Sequence, residues 1–345
     1  MKRFALLVVI AALAAGAWFA RQQQARLGQP YRGYEAGEQF VDIPGGLGPR
    51  AIGRLLVRDG IVRDELTWQL AVWQSGRATT LKAGEYRFTD PMTPASVVDT
   101  LARGDVYLRT VTFPEGLTIR QMSAVYESAG LGSASAFASA AREAELVRDL
   151  DPLARDLEGY LFPDTYALPR RASADDLVRM MVSRFEKALT GEVRAAAQGR
   201  GLTVRQLVTL ASLVEKETAR ADERPLVAGV YHNRLQRRMG LQCDPTVIYA
   251  LERQGRYTGN LTRADLALAS PYNTYRYAGL PPGPIAAPGE ASLAAAAHPA
   301  AVPYLYFVSR NDGSHAFAST LREHNRNVQQ FQVQFFRRGG RASSR

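Results

Sequence analysis

Two acidic residues stand close together at the end of a strongly apolar stretch of this sequence. Glu215 and Glu217 lie in Leu213-Val-Glu-Lys-Glu-Thr218, and the apolar residues before them recur with the period of a helix. At 100° per residue, Glu215 falls roughly 80° to one side of the centre of the apolar stripe and Glu217 a similar angle to the other side. Lys216 points to the solvated face. A carboxyl group at such an edge holds its proton longer than one in water, which suits a general acid. An exposed helix with ion pairs to residues such as Arg220 is the alternative.

Polar and aromatic loops follow the two acids along the chain. Gln242-Cys-Asp-Pro-Thr-Val-Ile-Tyr249 predicts a turn and then a helix that starts near Pro245, with Asp244 as its N-cap. The segments 271–275 (PYNTY) and 279–285 (GLPPGPI) combine flat rings, amide groups and rigid prolines. Loops of this kind line many ligand clefts, and polysaccharide sites in particular use flat surfaces with fixed hydrogen-bonding groups.

The composition excludes several other classes of site. The single Cys243 cannot form an intramolecular disulfide, and without a partner arrangement for catalysis it is predicted to be a buried thiol. The four histidines lack metal-binding spacing and no Gly-rich phosphate loop is present, so no metal and no cofactor are predicted. The net charge of +10 fits anionic lipid or an acidic cell-wall polymer better than nucleic acid, which an exported protein rarely meets.

The first 21 residues are predicted to form a membrane anchor. Phe4 to Ala20 carries no charge and is just long enough to cross a bilayer. A cleaved signal peptide is the alternative, with small residues at Ala12-Leu-Ala14, but the length of the run favours a retained single-pass anchor in the inner membrane. The basic Lys2 and Arg3 then stay in the cytoplasm and the body of the protein lies outside it.

An internal repeat dominates the region that follows a predicted linker at 22–37. Residues 44–61 align without gaps on residues 114–131, and each copy has a turn, an amphipathic helix and a glycine at the expected C-cap. Alternating strands precede both copies, at Gln39–Ile43 and Leu108–Phe113. We therefore predict a LysM-like, membrane-proximal region that contains this repeat and spans residues 38–132.

The first copy continues into a second helix, from Asp64 to about Gln74, and a strand at Ala83–Phe88. The resulting βααβ unit resembles a LysM-type module, a glycan-binding fold. A scaffold that only spaces the rest of the chain from the membrane is the alternative for this region.

The remaining chain is predicted to be a larger, helix-rich domain over 133–336 with a small sheet that includes Tyr304–Val308, followed by a basic tail at 337–345. The fold class is therefore α+β. Within this domain, Leu157–Tyr166 either presents its side chains in a loop or covers a hydrophobic seam. Thr320 and Glu323 predict a capping box for the last helix.

The motifs VEKET, LQCDPTVIY, YNTY, GLPPGPI, AHPA, YLYFV and a final His-Asn pair occur in this order along the chain. In order and separation they resemble the endolytic murein transglycosylases, the YceG-like family of inner-membrane cell-wall enzymes. The resemblance implies cleavage of the β-1,4 bond after N-acetylmuramic acid within nascent peptidoglycan strands, which leaves 1,6-anhydro ends and terminates elongation. It also implies contact with the peptidoglycan synthases and the division machinery.

The resemblance implies that Glu215 is the catalytic residue. One carboxyl can suffice, because it protonates the leaving oxygen and then accepts the proton of the muramic acid C6 hydroxyl, which attacks C1 in place of water. If Glu217 or Asp244 acted as a second carboxyl, the enzyme would be a hydrolase. A non-catalytic peptidoglycan-binding scaffold is the alternative function. The residues predicted to bind substrate are Glu217, Gln242, Asp244, Thr246, Tyr249, Asn273, Tyr275, Pro282, Gly283, His324 and Asn325.

Overall fold

The computed structural model describes residues 2–335, so the predicted basic tail lies outside the described residues. The chain forms two compact units. The first contains the described residues up to Arg109 together with Ala167–Arg171, and the second contains Thr110–Tyr166 together with the described residues from Ala172 onward. Helices predominate and the sheets are two-stranded, which confirms the predicted helix-rich α+β class.

The first unit follows the predicted strand and helix order closely. Its elements are α1 (Lys2–Leu27), β1 (Gln39–Ile43), α2 (Pro49–Arg58), α3 (Glu65–Ser75), β2 (Gly84–Phe88) and α4 (Pro94–Arg103). Strands β1 and β2 pair antiparallel, with Val41 opposite Tyr86, so the βααβ order is confirmed. The inward side chains of both strands pack with Trp68 and Leu101 in one buried cluster.

Helix α1 extends to Leu27, past the predicted end of the anchor at residue 21. Its last turns pack on the βααβ unit, because Gln23 accepts a hydrogen bond from Thr67 (3.3 Å) and Arg26 lies 3.6 Å from Asp64. Asp64 also caps α3, where its carboxylate accepts the Thr67 N–H at 2.8 Å. In the described part of the chain, no helix has both the length and the apolarity that a bilayer span requires.

The internal repeat is visible in the backbone. The helices α2 and α5 (Ile119–Ser128) occupy corresponding positions of the two copies. Each is followed by a glycine in the left-handed region, Gly60 at φ +72° and Gly130 at φ +66°. Because L side chains rarely adopt this conformation, the repeat keeps glycine where each helix ends.

The second unit is built from helices around a central one. After β3 (Arg109–Thr112), which pairs with β4 (Thr165–Leu168), and α5, the chain forms further helices and one more hairpin. These are α6 (Ala134–Ala140), α7 (Ala174–Ala188), α8 (Gly191–Gly199), α9 (Val204–Glu217), α10 (Arg224–Gln236), α11 (Asp244–Arg253), α12 (Glu290–Ala297), β5 (Tyr306–Ser309), β6 (His315–Ala318) and α13 (Leu321–Val328). The predicted capping box of Thr320 and Glu323 opens α13.

Helix α9 is the core of this unit rather than an amphipathic surface helix. Every residue from Leu207 to Val214 is buried, including the polar Thr209 and Ser212. The prediction of a single apolar face was therefore too narrow, because α8, α10, α11 and α12 all pack around α9. Ser212 fits this interior because its hydroxyl donates to the Thr209 carbonyl (2.7 Å) and accepts the Ile285 N–H (3.1 Å). A helix that is apolar all round belongs to the core of its domain.

The segment Leu157–Tyr166 covers a hydrophobic seam, which decides between its two predicted roles. Leu157, Tyr160, Leu161 and Phe162 are buried. The Tyr160 hydroxyl donates to Asp151 at 2.6 Å, and Tyr160 packs edge-on against Phe185. One acid of the segment, Glu158, is buried among these residues.

Candidate active site

Glu217 is the last residue of α9, and its half-buried side chain meets the buried Tyr231 and Cys243. Its Oε2 accepts hydrogen bonds from the Tyr231 hydroxyl (3.0 Å) and from the Cys243 thiol (3.5 Å). Among the described residues, no protein donor reaches Oε1. Cys243 is buried, as predicted, and burial raises the pKa of its thiol well above the usual value, so it acts here as a neutral donor.

Burial raises the pKa of Glu217. The hydrogen bonds from Tyr231 and Cys243 and the proximity of His315 oppose this rise, whereas the charge of Asp244 adds to it. The position at the C-terminal end of α9 acts in the same direction as burial, because the negative end of the helix dipole disfavours an anion. Glu217 therefore has the environment of a carboxyl that keeps its proton to a higher pH than a carboxyl in water does.

Glu215 lies two residues earlier and has different surroundings. Its Oε2 accepts the Gly289 N–H at the start of α12 (3.0 Å), and its Oε1 lies 3.5 Å from the Arg224 guanidinium. The side chains of Glu215 and Arg224 are only 7% and 11% exposed. Arg224 also reaches Glu115 (3.6 Å) and donates to Ser292 (3.1 Å). Both oxygens of Glu215 are thus engaged by groups that join α9 to α10 and α12.

Arg220, the predicted partner of an exposed helical acid, pairs instead with Asp222 at 2.8 Å. The two acids of the motif do diverge to different neighbours, as the angular argument predicted.

Asp244 and Tyr275 lie beside the Glu217 cluster. The Tyr275 hydroxyl donates to the Asp244 carboxylate, and burial raises the pKa of Tyr275. The predicted N-cap role of Asp244 was wrong: α11 begins at Asp244 itself, and the N-cap residue is Cys243, which makes no side-chain cap. The reason is tertiary, because a phenol 31 residues further along the chain holds the carboxylate.

Three other predicted substrate residues hold the loops in place. Asn273 is fully buried, and its amide donates to the Leu266 and Leu268 carbonyls at 2.9 Å each. Thr246 is buried and donates to the Cys243 carbonyl at 2.7 Å. Gln242 has an exposed side chain and a left-handed backbone at φ +50°.

Pro282 and Gly283 lie in a different place, around a cavity of about 540 Å³ that Glu158, Arg205, Arg253 and Tyr272 also line. Tyr249 itself reaches this place through its hydroxyl, which donates to Glu158 Oε2 at 3.2 Å. The Ile119 N–H donates to Glu158 Oε1 at 3.1 Å. Burial raises the pKa of Glu158 to about 8.

Gly159, next in the chain, has φ +83°, and a β-carbon there would lie 2.4 Å from Pro284. The loop 279–285 therefore packs directly on the backbone beside Glu158.

The last two predicted residues lie on α13. The His324 ring stacks on Tyr306 with centroids 5.1 Å apart, and burial lowers its pKa. Its Nδ1 is buried and has no hydrogen-bond partner among the described residues. Asn325 is exposed on the same helix. The contacts of His324 and Asn325 involve neither Glu215 nor Glu217.

Sequence reasoning missed several groups that shape these sites. Tyr231 and Arg224 lie on α10, whose sequence gives no sign of which acid each one meets. His315 was considered only as one of four histidines without metal-binding spacing, yet its Nδ1 lies 2.6 Å from Glu223, near Glu217. Glu158 did carry a signal, since an acid between Leu157 and Gly159 in an aromatic loop is out of place in a core segment.

Comparison with known proteins agrees with this architecture. The sequence profile of the YceG-like family matches residues 41–330. The endolytic murein transglycosylase of Bacillus subtilis (strain 168) is 32% identical over 83% of this chain and 82% of its own length. That of Streptococcus pneumoniae serotype 2 (strain D39 / NCTC 7466) is 31% identical over 93% of this chain, which spans 63% of the relative.

A solved structure supports the same relationship. The crystal structure of a yceG-like protein from Listeria monocytogenes is 29% identical, with a TM-score of 0.57 over 84% of this chain and 98% of that one. The family match covers most of the residues that form both units. This chain belongs to the YceG-like family, as the order of its motifs predicted.

Proposed function

We propose that this chain is an endolytic peptidoglycan lytic transglycosylase in which Glu217 is the general acid. Relatives that carry the name endolytic murein transglycosylase and align over most of the chain support the reaction class. The observation that carries the assignment of Glu217 is its raised pKa combined with an Oε1 that meets no protein donor among the described residues.

Glu217 suits the role better than Glu215, the residue predicted from the sequence. A general acid benefits from a pKa above that of a free carboxyl and needs an oxygen that can face the leaving group. Glu217 meets both requirements. Glu215 has a backbone N–H on one oxygen and a guanidinium 3.5 Å from the other, whereas Oε1 of Glu217 has no protein donor among the described residues.

In the proposed reaction, protonated Glu217 donates its proton to the glycosidic oxygen between N-acetylmuramic acid and N-acetylglucosamine as the C1–O bond breaks. The C6 hydroxyl oxygen of the muramic acid then bonds to C1, and its proton passes to the Glu217 carboxylate. The catalyst is restored, no water is consumed, and the strand is left with a 1,6-anhydro end. The Tyr231 hydroxyl, which donates to Oε2, orients the carboxyl and stabilises it while it is charged.

The test is cleavage of uncrosslinked glycan strands by the full chain, with mass spectrometry of the products. Wild type should release internal fragments that end in anhydro-muramic acid. Glu217→Gln keeps an oxygen that can accept from Tyr231 but has no acid proton, so the rate should fall by roughly 10²- to 10⁴-fold. Glu215→Gln is the matched variant and should lose much less activity wherever circular dichroism shows that it is folded.

The outcomes separate the alternatives. Loss of cleavage in folded Glu215→Gln with activity retained in Glu217→Gln would return the catalytic role to Glu215. Reducing ends in place of anhydro ends would show that water attacks, and a second carboxyl such as Asp244 would then be required. No cleavage by any variant, with strands still bound, would favour the scaffold function.

We also propose that the N-terminal segment holds the enzyme at the inner membrane with its body outside the cytoplasm. The large apolar side chains of α1 support this placement, because Leu7, Leu13 and Trp18 are 64%, 69% and 66% exposed. A lipid phase would cover such a surface. Alkaline extraction of membranes should leave the full chain in the pellet, and its release into the supernatant would contradict the proposal.

The βααβ unit is proposed to bind glycan in the manner of a LysM-type module. Trp73 on α3 is 77% exposed beside Arg50 and Arg54, around a surface groove of about 650 Å³. An exposed indole is a flat apolar platform of the kind that packs against a sugar ring. Trp73→Ala should weaken strand binding several-fold without unfolding the unit, and unchanged binding would assign the unit to spacing alone.

A further inference from the structure

Two cavities of the second unit adjoin each other and share lining residues. The first, of about 540 Å³, is the cavity beside the loop 279–285, and the second, of about 560 Å³, opens between α5 and α6. Asp156, Glu158 and Arg253 line both cavities. The combined surface is named here the arginine groove, and its lining arginines are Arg120, Arg142, Arg155, Arg205 and Arg253.

The arginine groove has an excess of positive charge that its own acids do not balance. Arg205 is committed to the protein, because its Nε donates to both oxygens of Asp151 at 2.9 Å and its Nη1 donates to the Pro282 carbonyl. Glu158, with a pKa of about 8, is mostly uncharged at neutral pH. Asp156 is then the one charged acid left among the lining residues, opposite four exposed arginines.

Arg253 is held in position at the middle of the arginine groove. Its guanidinium lies 5.5 Å from the ring centroid of Tyr272 and 5.7 Å from that of Tyr249. A hydrogen bond of 3.4 Å to the Tyr272 hydroxyl adds to these contacts. A planar guanidinium fixed by aromatic rings can bind a carboxylate with two parallel hydrogen bonds at little entropic cost.

The arginine groove is separate from the Glu217 cluster but within reach of it. Arg205 and Glu217 lie near opposite ends of α9, about 18 Å apart at 1.5 Å per residue. Asp244 and Arg253 are the first and last residues of α11, about 14 Å apart by the same measure. A strand positioned for cleavage at Glu217 could therefore place a substituent, but not its scissile bond, in the arginine groove.

We propose that the arginine groove binds the carboxylates of the peptide stems that branch from the glycan strand. This inference rests on the proposed function, since it names a second part of the same substrate. In a stem-bearing strand the lactyl carboxyl of each muramic acid is taken up in the amide bond to its stem, so the strand's free carboxylates lie on the stems, and the chemistry of the groove matches that part. Each cavity is also large enough for a ligand of a few residues, and the flat Tyr272 and Pro282 offer apolar contact beside the arginines.

The test is direct binding of a soluble stem pentapeptide with free carboxylates to the full chain, measured by calorimetry. Arg253→Ala and Arg155→Ala should each weaken binding by about tenfold, the effect of one charge-assisted hydrogen-bonded pair. Arg237→Ala, at an exposed arginine that caps α10 outside the groove, is the matched control and should bind like wild type. Equal affinities for all variants, or no binding to folded wild type, would overturn the proposal.

A second measurement separates this proposal from the catalytic one. Wild type should cleave stem-bearing strands with a higher kcat/KM than strands from which the stems have been removed, and Arg253→Ala should lose that preference. Peptide binding does not depend on cleavage. If wild type cleaved strands normally but did not bind the peptide, only the proposal for the arginine groove would be overturned. If it bound the peptide normally but did not cleave strands, only the proposed transglycosylase activity would be overturned. A short polyphosphate that displaces the peptide equally well would show that the arginines bind any anion and would also overturn the assignment.

Discussion

Glu215 and Glu217 are separated by one residue and have opposite surroundings. Glu215 faces the N-terminal ends of α10 and α12, where an N–H and a guanidinium engage its two oxygens. Glu217 faces a phenol and a thiol, both neutral, and both on the same oxygen. One carboxyl joins three helices together, and the other lies without a cationic hydrogen-bond partner among the described residues.

A motif therefore does not by itself fix the roles of its acids. Both glutamates belong to one apolar helix end, so propensity and periodicity treat them alike. Their environments differ because a step of two residues turns a helix by roughly 200° and presents them to different neighbours. The role of each acid follows from those neighbours. Substituting the neighbours therefore tests directly whether Glu215 is structural and Glu217 is the general acid.

The largest expected effect is on stability, at Arg224. Arg224→Ala would leave Glu215 buried with one backbone N–H and would remove the cation near Glu115, whose pKa burial and the Glu215 charge already raise. Removing one partner of a buried ion pair should cost about 4 kcal/mol of unfolding free energy. Urea titration at pH 7 measures it.

Two variants make the Arg224 result decisive. Arg224→Ala combined with Glu215→Gln should regain most of the lost stability, since no uncompensated buried charge remains. Arg220→Ala removes an exposed arginine that pairs with Asp222 and should leave unfolding unchanged. If Arg224→Ala were as mild as Arg220→Ala, the description of Glu215 as a structural acid would fail.

Glu158 extends the comparison to a third buried carboxyl, one with a backbone N–H and a phenol as its donors. Its folded pKa of about 8 lies above the unfolded value of 4.5. Below the unfolded value both states are protonated, and above it the folded state binds more protons, so stability is lost as pH rises from about 4.5 to about 8. The part of this loss that is reached by pH 7 should be on the order of 3 kcal/mol.

Glu158→Gln should remove this loss, because a neutral amide cannot ionise. Thermal unfolding of wild type and variant between pH 5 and pH 8.5 would show curves that separate as pH rises, with the variant more stable at the alkaline end. Parallel curves would mean that folding does not raise the pKa of Glu158. Glu158 would then be charged at neutral pH, and the net charge assigned to the arginine groove would be too positive.

The local elements of this fold could be predicted from sequence, because they depend on nearby residues. Strand β1 matches its predicted bounds at Gln39–Ile43, and the Thr320 capping box joins residues three positions apart. The glycines after α2 and α5 follow from the backbone conformation that ends a helix. In each case the interaction that decides the structure lies within a few residues.

The candidate site was only half predictable, because long-range contacts decide it. VEKET indicated an acid near an apolar core, yet Gly289, 74 residues away, holds Glu215, and Cys243, 26 residues away, donates to Glu217. Asp244 was misread as an N-cap for the same reason, since Tyr275 binds its carboxylate. No periodicity in one sequence says which distant donor will reach which acid.

Tyr231 tests the Glu217 side of the comparison with a smaller effect. Tyr231→Phe removes the hydroxyl that donates to Glu217 and should cost about 1 kcal/mol of stability. Because that hydrogen bond lowers the pKa of Glu217, its loss should raise the pKa further. Cleavage requires the protonated acid, so the alkaline limb of the kcat/KM profile should move to higher pH; an unmoved limb would show that Glu217 does not set it.

Substitution of Cys243 should produce the smallest shift in the pH profile, and this shift tests one specific hydrogen bond to Glu217. Its thiol donates to the same Glu217 oxygen at 3.5 Å, and a thiol is a weaker donor than a phenol. Cys243→Ala should therefore move the alkaline limb in the same direction as Tyr231→Phe but less far, and the double variant should move it furthest, because both donors act on one carboxyl. A limb that moved for Tyr231→Phe alone would mean that the thiol only fills space. A limb that moved instead in Arg224→Ala, and in neither of these two variants, would point to Glu215 as the titrating acid.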